Sequence, residues 1–500
     1  MKKCWLILLA LTAVFSLRSA NNDDDLEDFK KSVWDEMDAF QEETQNEMNS
    51  FRDQINKEMS EWLGRPWEMS PLEQPVAPPP DPEPDPIILD DDDREKIVTP
   101  KPVVIKDIIT PPKPQPRPQP VEPIREIPMP KPLPSVAVTF YGTEFKVRGV
   151  DLGNFSVGGT KEENISRAWL QLSASVTNNL IRDCLAIRAD YRLCDWAYLN
   201  LLERIAQKIV DGRKVETTVL TAFLFSQSGY KMRLARDQIG NLILMYAAES
   251  IVYKVRFITD GNTRFYAFHP PYGDELYICA YNMPGEKNLD FNITQNMKLA
   301  YSASDVRSIT AKFVPELTVD VWVNKNLIDF YNDYPDMTGS LNPYTKWAVY
   351  ANVPPSEEIR RYLYPKVREV IAGKSQADAA NILLHLAQTF DYGYDSEIWG
   401  GDRAFFMDET WFYPLSDCED HAIHYSRLVR DLLGLDVVLV FYPGHLASAV
   451  AFTDPSIKGD WIEHRGKRFT VCDPTIFYSN IGETMTDMDN SNAILIDLQP

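Results

Sequence analysis

The chain has 500 residues and a net charge of −22, because 73 aspartates and glutamates outnumber 51 lysines and arginines. An acidic surface repels phosphate, which argues against nucleic acid as a partner. Six cysteines are too few for disulfides to form the framework of an exported chain of this length.

Residues 1–20 have the pattern of an export signal. Two lysines precede an apolar run that is too short to span a bilayer, and small residues stand at Ser19 and Ala20. The pattern predicts cleavage after Ala20 and no integral membrane span in the mature protein. We therefore expect a periplasmic, cell-surface or secreted protein in which five cysteines remain.

Residues 21–65 carry an apolar repeat of eleven residues, which predicts one amphipathic helix. The stripe can serve for self-association, for binding a protein partner or for packing on the globular part, and the alternative is a loosely ordered helix. Its acidic polar face argues against anionic lipid. The repeat consists of three series, Leu26/Met37/Met48/Met59, Phe29/Phe40/Phe51/Trp62 and Val33/Thr44/Ile55.

Residues 66–135 are acidic and rich in proline, with 20 prolines between positions 75 and 134. This composition favours polyproline II and predicts a spacer that buries no core of its own. Deleting residues 21–135 is then expected to leave a soluble, equally reactive globular part. Apolar islands such as VVIKDII can also add a strand to another sheet, but the spacer is the preferred interpretation.

The remaining chain is long enough for two domains. Residues 136–285 and 346–500 each combine amphipathic helices with apolar strands, and residues 286–345 are predicted to form a β-rich connection. The expected fold class is α+β.

Three motifs near the C-terminus place a thiol, an imidazole and a carboxylate at structural boundaries. Cys418 begins a predicted helix that ends before Gly434, His445 opens a strand, and Asp473 follows the strand 468–472. A helix start favours a thiolate, an imidazole can take the thiol proton, and a carboxylate can fix the imidazole tautomer. These residues are the candidate catalytic triad. The motifs read SDCEDHAIHYSRLVRDLLG, FYPGHLASAVAF and KRFTVCDPT.

This arrangement resembles the transglutaminase-like superfamily, particularly the bacterial transglutaminase-like cysteine proteinases, whose nucleophile commonly sits in a DCED-type helix start. The resemblance covers roughly residues 350–480. It implies a papain-like core in which Cys418, His445 and Asp473 are the triad. Family members include peptidases, amide hydrolases, cross-linking acyltransferases and inactive binding modules.

The same region leaves two questions open. Negative charge on Asp417, Glu419 and Asp420 opposes the thiolate that the helix start and His445 favour. A zinc site could use Cys418 and His421, but no typical ligand spacing supports it, so no metal or cofactor is expected. The other possible zinc ligands are His424, His445 and Cys472. We interpret His421 and His424 as a partly exposed helix face and Cys472 as core.

Residues 136–285 align with the C-terminal motifs when Gly229 is matched to Gly434. Arg213, Asn241 and His269 then stand at the positions of Cys418, His445 and Asp473. The alignment predicts a degenerate first copy of the same fold, without a nucleophile. Cys194 is the rival thiol, but it is predicted to lie inside a helical run.

Two functions follow from these patterns. The favoured one is an exported thiol enzyme that cleaves a peptide or amide bond in a peptide or protein substrate through an acyl-enzyme. The alternative is a non-catalytic envelope or surface module with the same fold. Trp411 or Trp399 is the candidate second oxyanion donor beside the backbone N–H of Cys418.

Overall fold

The computed structural model describes residues 31–32, 51–75, 103–105, 107–120, 124–128, 133–281, 283–484 and 488–499. Over these residues the chain is a mixed α+β protein with curled sheets, which confirms the predicted fold class. The predicted export signal and most of the eleven-residue repeat lie outside the described residues. Within the described ranges, no helix combines the length and apolar character needed to cross a bilayer.

The helices are α1 (51–63), α2 (Glu162–Ser173), α3 (Asn178–Asp190), α4 (Asp195–Ile209), α5 (Lys214–Gln227), α6 (Lys325–Asn332), α7 (Lys346–Asn352), α8 (Glu357–Tyr362), α9 (Tyr364–Ile371), α10 (Gln376–Ala387), α11 (Asp395–Ile398), α12 (Met407–Phe412) and α13 (Cys418–Leu433). Short 3₁₀ turns occur at Ser175–Thr177, Pro343–Thr345 and Asn490–Asn492.

The strands are β1 (Glu68–Pro71), β2 (Val103–Val104), β3 (Asp107–Ile109), β4 (Val136–Phe140), β5 (Thr143–Val147), β6 (Met232–Asp237), β7 (Leu242–Ala248), β8 (Phe257–Asp260), β9 (Thr263–Ala267), β10 (Glu275–Ile278), β11 (Arg307–Thr310), β12 (Thr318–Val321), β13 (Asp391–Tyr392), β14 (Leu415–Ser416), β15 (Val437–Tyr442), β16 (His445–Val450), β17 (Trp461–His464), β18 (Lys467–Cys472) and β19 (Ile494–Asp497).

Two large sheets dominate, and their central strands are paired in the same way. The first has the order β1-β10-β6-β7-β9-β8, and the second, read from its other edge, β3-β19-β15-β16-β18-β17-β2. Met232 pairs with Tyr246 where Val437 pairs with Val450. Further equivalent pairs are Met245–Ala267 with Ala449–Val471, and Phe257–Tyr266 with Trp461–Thr470.

Each sheet is covered by an equivalent pair of helices. Helix α5 packs on β6 and β7 and against α4, while α13 packs on β15 and β16 and against α10. The first residue of α5 is Lys214, and Arg213 is its N-cap residue. Counted from the helix start, Lys214 holds the place that Cys418 holds in α13, one residue after the Arg213 that the sequence alignment predicted.

A short segment joins both edges of each curled sheet. In the second sheet β2 pairs with β17 and β3 pairs with β19, and Ile105 between them lies in the inner apolar cluster, 4% exposed. In the first sheet β1 pairs with β10, and Glu73 exchanges backbone hydrogen bonds of 2.8 and 2.9 Å with Phe257 of β8. The pairing is antiparallel in the first sheet and parallel in the second. We call residues 68–73 and 103–109 the closing segments.

The prediction of a detached spacer is wrong for the described residues of 66–135. Besides the closing segments, the proline-rich stretch lies on the globular part, where Arg188 donates a 2.7 Å hydrogen bond to the carbonyl of Pro118. Asn179 accepts from the N–H of Ile127 and donates to its carbonyl, at 2.9 and 2.8 Å. Proline prevents regular secondary structure, but it leaves carbonyl groups and an extended backbone that side chains can bind.

Helix α1 packs on the globular part, which was one of the three uses considered for the apolar stripe. Ile55, Met59 and Leu63 are buried, whereas Phe51 and Trp62 remain 43% and 38% exposed. Self-association and partner binding through this helix stay predictions.

The connection 286–345 is less rich in strands than predicted. Among its residues, regular structure consists of the two-stranded sheet β11–β12 and helix α6. The alternating residues of LTVDVWVN supply β12, but most of the segment is irregular chain packed between the two large sheets' regions.

Candidate active site

Cys418 is the first residue of α13, as the sequence predicted. Asp417 is the N-cap residue, and its backbone N–H lies 3.4 Å from a carboxylate oxygen of Asp420. Gly434 ends the helix with a φ of 66°, a left-handed conformation that favours glycine. The thiol therefore lies beside the unsatisfied N–H groups of a helix start, which stabilise negative charge.

His445 and Asp473 lie at the ends of neighbouring strands and are in contact. Nε2 of His445 is 2.7 Å from Oδ2 of Asp473, and both side chains are buried. Thr475 donates to Oδ1 of Asp473 from its backbone N–H at 3.0 Å and from its hydroxyl at 2.6 Å. Burial alone would raise the pKa of Asp473, but the charge and hydrogen bond of His445 and the bonds from Thr475 lower it.

The thiol lies next to the histidine-bearing strand. The backbone N–H of Leu446, the residue after His445, forms a hydrogen bond with the sulfur of Cys418. Nδ1 of His445 is buried and has no hydrogen-bond partner among the described residues. The structure thus brings His445 and Asp473 into contact and places the sulfur of Cys418 beside the strand that begins with His445, while Nδ1 of the imidazole has no partner among the described residues.

The thiol itself donates to a different group. Sγ of Cys418 lies 3.3 Å from Oε2 of Glu419, and the side chain is only 4% exposed. Burial is the largest cause that raises the pKa of Cys418, followed by the charges of Glu419 and Asp417, while the N–H of Leu446 lowers it. In this arrangement the sulfur is a thiol, because desolvation and the nearby carboxylates outweigh the helix start.

Glu419 belongs to a chain of polar groups that the sequence analysis did not identify. Its carboxyl shares a hydrogen bond with Asp402, and Asp402 accepts a 2.7 Å bond from the buried Lys346. Burial, then the charge and hydrogen bond of Asp402, raise the pKa of Glu419 well above its ordinary value. Glu419 therefore keeps its proton to a higher pH than an ordinary glutamate does.

Asp395, Asp417 and Glu419 are the buried carboxylates that could share a cation, since one oxygen of each lies within 4.8 Å of the others. Oxygen-only ligands suit a hard cation rather than zinc. In the part of the chain that the structure describes, the histidines and cysteines do not gather into a metal site. Because Glu419 is bound to the thiol and to Asp402, we assign no metal to these acids.

His421 and His424 are fully buried, so their interpretation as a partly exposed helix face is wrong. His421 lies 2.9 Å from the hydroxyl of Ser416, and His424 accepts a 3.1 Å hydrogen bond from the indole of Trp411. Burial lowers the pKa of His421 to about 4 and that of His424 to about 3. Both helix faces are covered because α13 lies between its sheet and other helices.

The two candidate second oxyanion donors differ in whether their indole N–H group already has a hydrogen-bond partner. The indole N–H of Trp411 is engaged by His424, whereas Nε1 of Trp399 is buried and without a partner among the described residues. The backbone N–H of Trp399 donates a 2.7 Å hydrogen bond to the carbonyl of Asp395, and its indole packs against Phe405.

The other described cysteines are buried and unpaired. Cys194 is the N-cap residue of α4 rather than part of a helix interior, and burial raises its pKa to about 12. Cys472 is fully buried beside Tyr425, and its pKa is also raised to about 12 by burial. No imidazole of the described residues is among the main groups that shift the pKa of either thiol.

Comparisons of this chain with models of protein families, with curated proteins and with solved structures found no match.

Proposed function

We propose that the protein is an exported thiol enzyme with a transglutaminase-like core, acting on amide bonds of peptides or proteins through Cys418, His445 and Asp473. The observation that carries the proposal is the 2.7 Å contact of His445 with Asp473 beside a thiol at a helix start. Nδ1 of the same imidazole is left for the thiol.

The reaction requires few groups. His445 takes the proton of the Cys418 thiol, and the sulfur attacks the amide carbonyl while the backbone N–H of Cys418 stabilises the developing oxyanion. His445 then protonates the departing amine, which leaves an acyl-enzyme. Water or an amine, deprotonated by His445, attacks this thioester and regenerates the thiol. Asp473 holds the imidazole and stabilises its charged form throughout.

A duplicated core is part of the proposal. Equal strand order, equal residue pairing and an equivalent pair of covering helices in the two sheets support it. The first copy is degenerate, since Lys214, Asn241 and His269 hold the positions of the triad. Residues 1–20 are proposed to direct the chain out of the cytoplasm.

Labelling with a thiol-directed acylating probe tests the enzyme. The wild-type protein should be labelled at Cys418, as mapped by peptide mass spectrometry, and Cys418→Ala should abolish that label. The matched control is Cys472→Ala, which removes a buried thiol from strand β18 and should leave the label intact. Labelling that persists in Cys418→Ala would move the nucleophile elsewhere, with Cys194 the next residue to test.

A second function is favoured by specific observations. All three triad side chains are at most 4% exposed, and the pKa of Cys418 is raised well above its ordinary value, first by burial. A non-catalytic binding module with the same fold would have such a closed site. It would remain unlabelled by the probe under all conditions in which the protein is folded.

A further inference from the structure

We propose that Glu419 is a positioning residue that holds Cys418 in a resting arrangement, and that the thiol must exchange Glu419 for Nδ1 of His445 before it can react. The inference rests on the proposed function, because it concerns the regulation of the same site.

The geometry gives the thiol two possible partners. Its present partner is Oε2 of Glu419 at 3.3 Å, and the N–H of Leu446 places the sulfur beside the strand that begins with His445. A buried nitrogen without a hydrogen-bond partner, such as Nδ1 of His445, is rare in folded proteins. An incoming hydrogen-bond donor would satisfy it, and the S–H group of Cys418 lies beside the strand that begins with His445.

Glu419 is suited to hold a thiol rather than a thiolate. One of its oxygens accepts the S–H group, and its carboxyl also bonds Asp402, which Lys346 holds at 2.7 Å. A neutral Glu419 accepts the S–H bond through its carbonyl oxygen, and an ionised Glu419 would repel a thiolate. Either state favours the protonated sulfur, so both retain the resting arrangement.

The charged groups that surround Glu419 come from several elements. Asp417, Cys418 and Asp420 adjoin it on α13, Asp395 belongs to α11, Asp402 follows α11, and Lys346 begins α7. Lys346 is the cation among them, and it lies against Asp402. Several of these groups can titrate, so the pH dependence of Cys418 alkylation must be compared between the wild type and variants of Glu419 itself.

Two substitutions separate the hydrogen bond from the size of the side chain. Glu419→Gln keeps the length, an acceptor oxygen for the thiol and a donor for Asp402, whereas Glu419→Met keeps the length and removes the acceptor. The S–H stretching band of Cys418, isolated by subtracting the spectrum of Cys418→Ala, should shift in Glu419→Met and stay in place in Glu419→Gln. Alkylation by iodoacetamide at pH 7 should be about fivefold faster in Glu419→Met, the factor that corresponds to losing one ordinary hydrogen bond.

The pH profile gives a second readout that does not depend on the folding of Glu419→Met. In the wild type, ionisation of Glu419 should slow the rise of the alkylation rate with pH, and Glu419→Gln should remove this inflection. Identical profiles in these two proteins, or an unmoved S–H band in folded Glu419→Met, would overturn the inference. A shifted band with no probe labelling in any variant would retain the role of Glu419 and reject the proposed enzyme.

Discussion

The central strands of the two curled sheets have the same order and register, yet the two regions differ completely at the positions of the candidate triad. In the second, His445 and Asp473 are in contact, and all three candidate residues are buried, with the sulfur of Cys418 beside the strand that begins with His445. In the first, Lys214 is exposed, and the 59% exposed His269 lies 2.5 Å from Glu203 instead of facing a thiol. A sheet and helix pair of this kind therefore folds without the site, and the site residues are not required by the architecture.

The largest expected effect comes from replacing one carboxylate of the candidate triad by a carboxamide. Asp473→Asn removes the charge that orients His445, and it should lower the rate of probe labelling by about 10²- to 10⁴-fold. His269→Asn, the matched change in the first region, should leave the rate unchanged. Rates would be measured by mass spectrometry, and equal effects of the two variants would remove the functional difference between the regions.

The closing segments allow each sheet to be perturbed separately. Ile105→Ala should lower the free energy of unfolding by about 2–5 kcal/mol, because it opens a cavity inside the second sheet. Leu72 of the first sheet is only partly buried, so Leu72→Ala should cost less.

Hydrogen exchange would locate these losses. Faster exchange should appear in β15–β19 for Ile105→Ala and in β6–β10 for Leu72→Ala. Uniform loss of protection over both sheets would contradict separate closure. On the same grounds, deleting residues 21–135 should yield a poorly soluble chain rather than the intact globular part expected from composition.

The second region also has an acid-sensitive element that its counterpart lacks. A histidine whose folded pKa is lowered stays neutral in the folded state and gains a proton on unfolding, so stability is present above pH 6.5 and lost as the pH falls toward the folded value. For His424, with a pKa of about 3, the loss between pH 7 and pH 5 is about 2 kcal/mol.

His424→Gln keeps an acceptor for the indole of Trp411 and should abolish that part of the pH dependence. Denaturant unfolding at the two pH values would measure it. The variant Leu220→Gln, at the matching position of α5, has no histidine to titrate and should leave the pH dependence as it is in the wild type. The same pH dependence in His424→Gln and wild type would show that another group is responsible.

The smallest effect is expected at the exposed helix start of the first region. Lys214→Cys should change stability by less than about 0.5 kcal/mol. In a Cys418→Ala background its alkylation rate should follow a single ionisation near a pKa of ~8.5, without help from an imidazole. A thiol of unusually high reactivity at neutral pH would indicate that the first region retains a working base.

Sequence patterns predicted those parts of the candidate site that depend on residues close together in the chain. Asp417 and Gly434 set the ends of α13, and Pro474 ends the strand before Asp473, so all three triad positions could be predicted from boundaries. Asp402 and Lys346 could not, because they reach Glu419 from distant parts of the chain.

The burial of His421 and His424 depends on packing of a second layer over α13, which helical periodicity does not reveal. The acidic, proline-rich composition of residues 66–135 likewise gives no indication that the closing segments pair with the sheets. The segment VVIKDII is an apolar island in the sequence, but the prolines around it favour a spacer. They give no sign of the two sheet edges that the segment joins.

The closing segments also set the order in which the chain can complete its fold. Thr110, next to β3, donates a 2.6 Å hydrogen bond to Asp497, which is 387 positions later in the chain. During synthesis residues 103–109 emerge long before β19, and they cannot pair with it until it has been made. Contacts of such long sequence separation form slowly. The second sheet, and with it the strands that carry His445 and Asp473, therefore reaches its final closed form only after β19 has emerged from the ribosome.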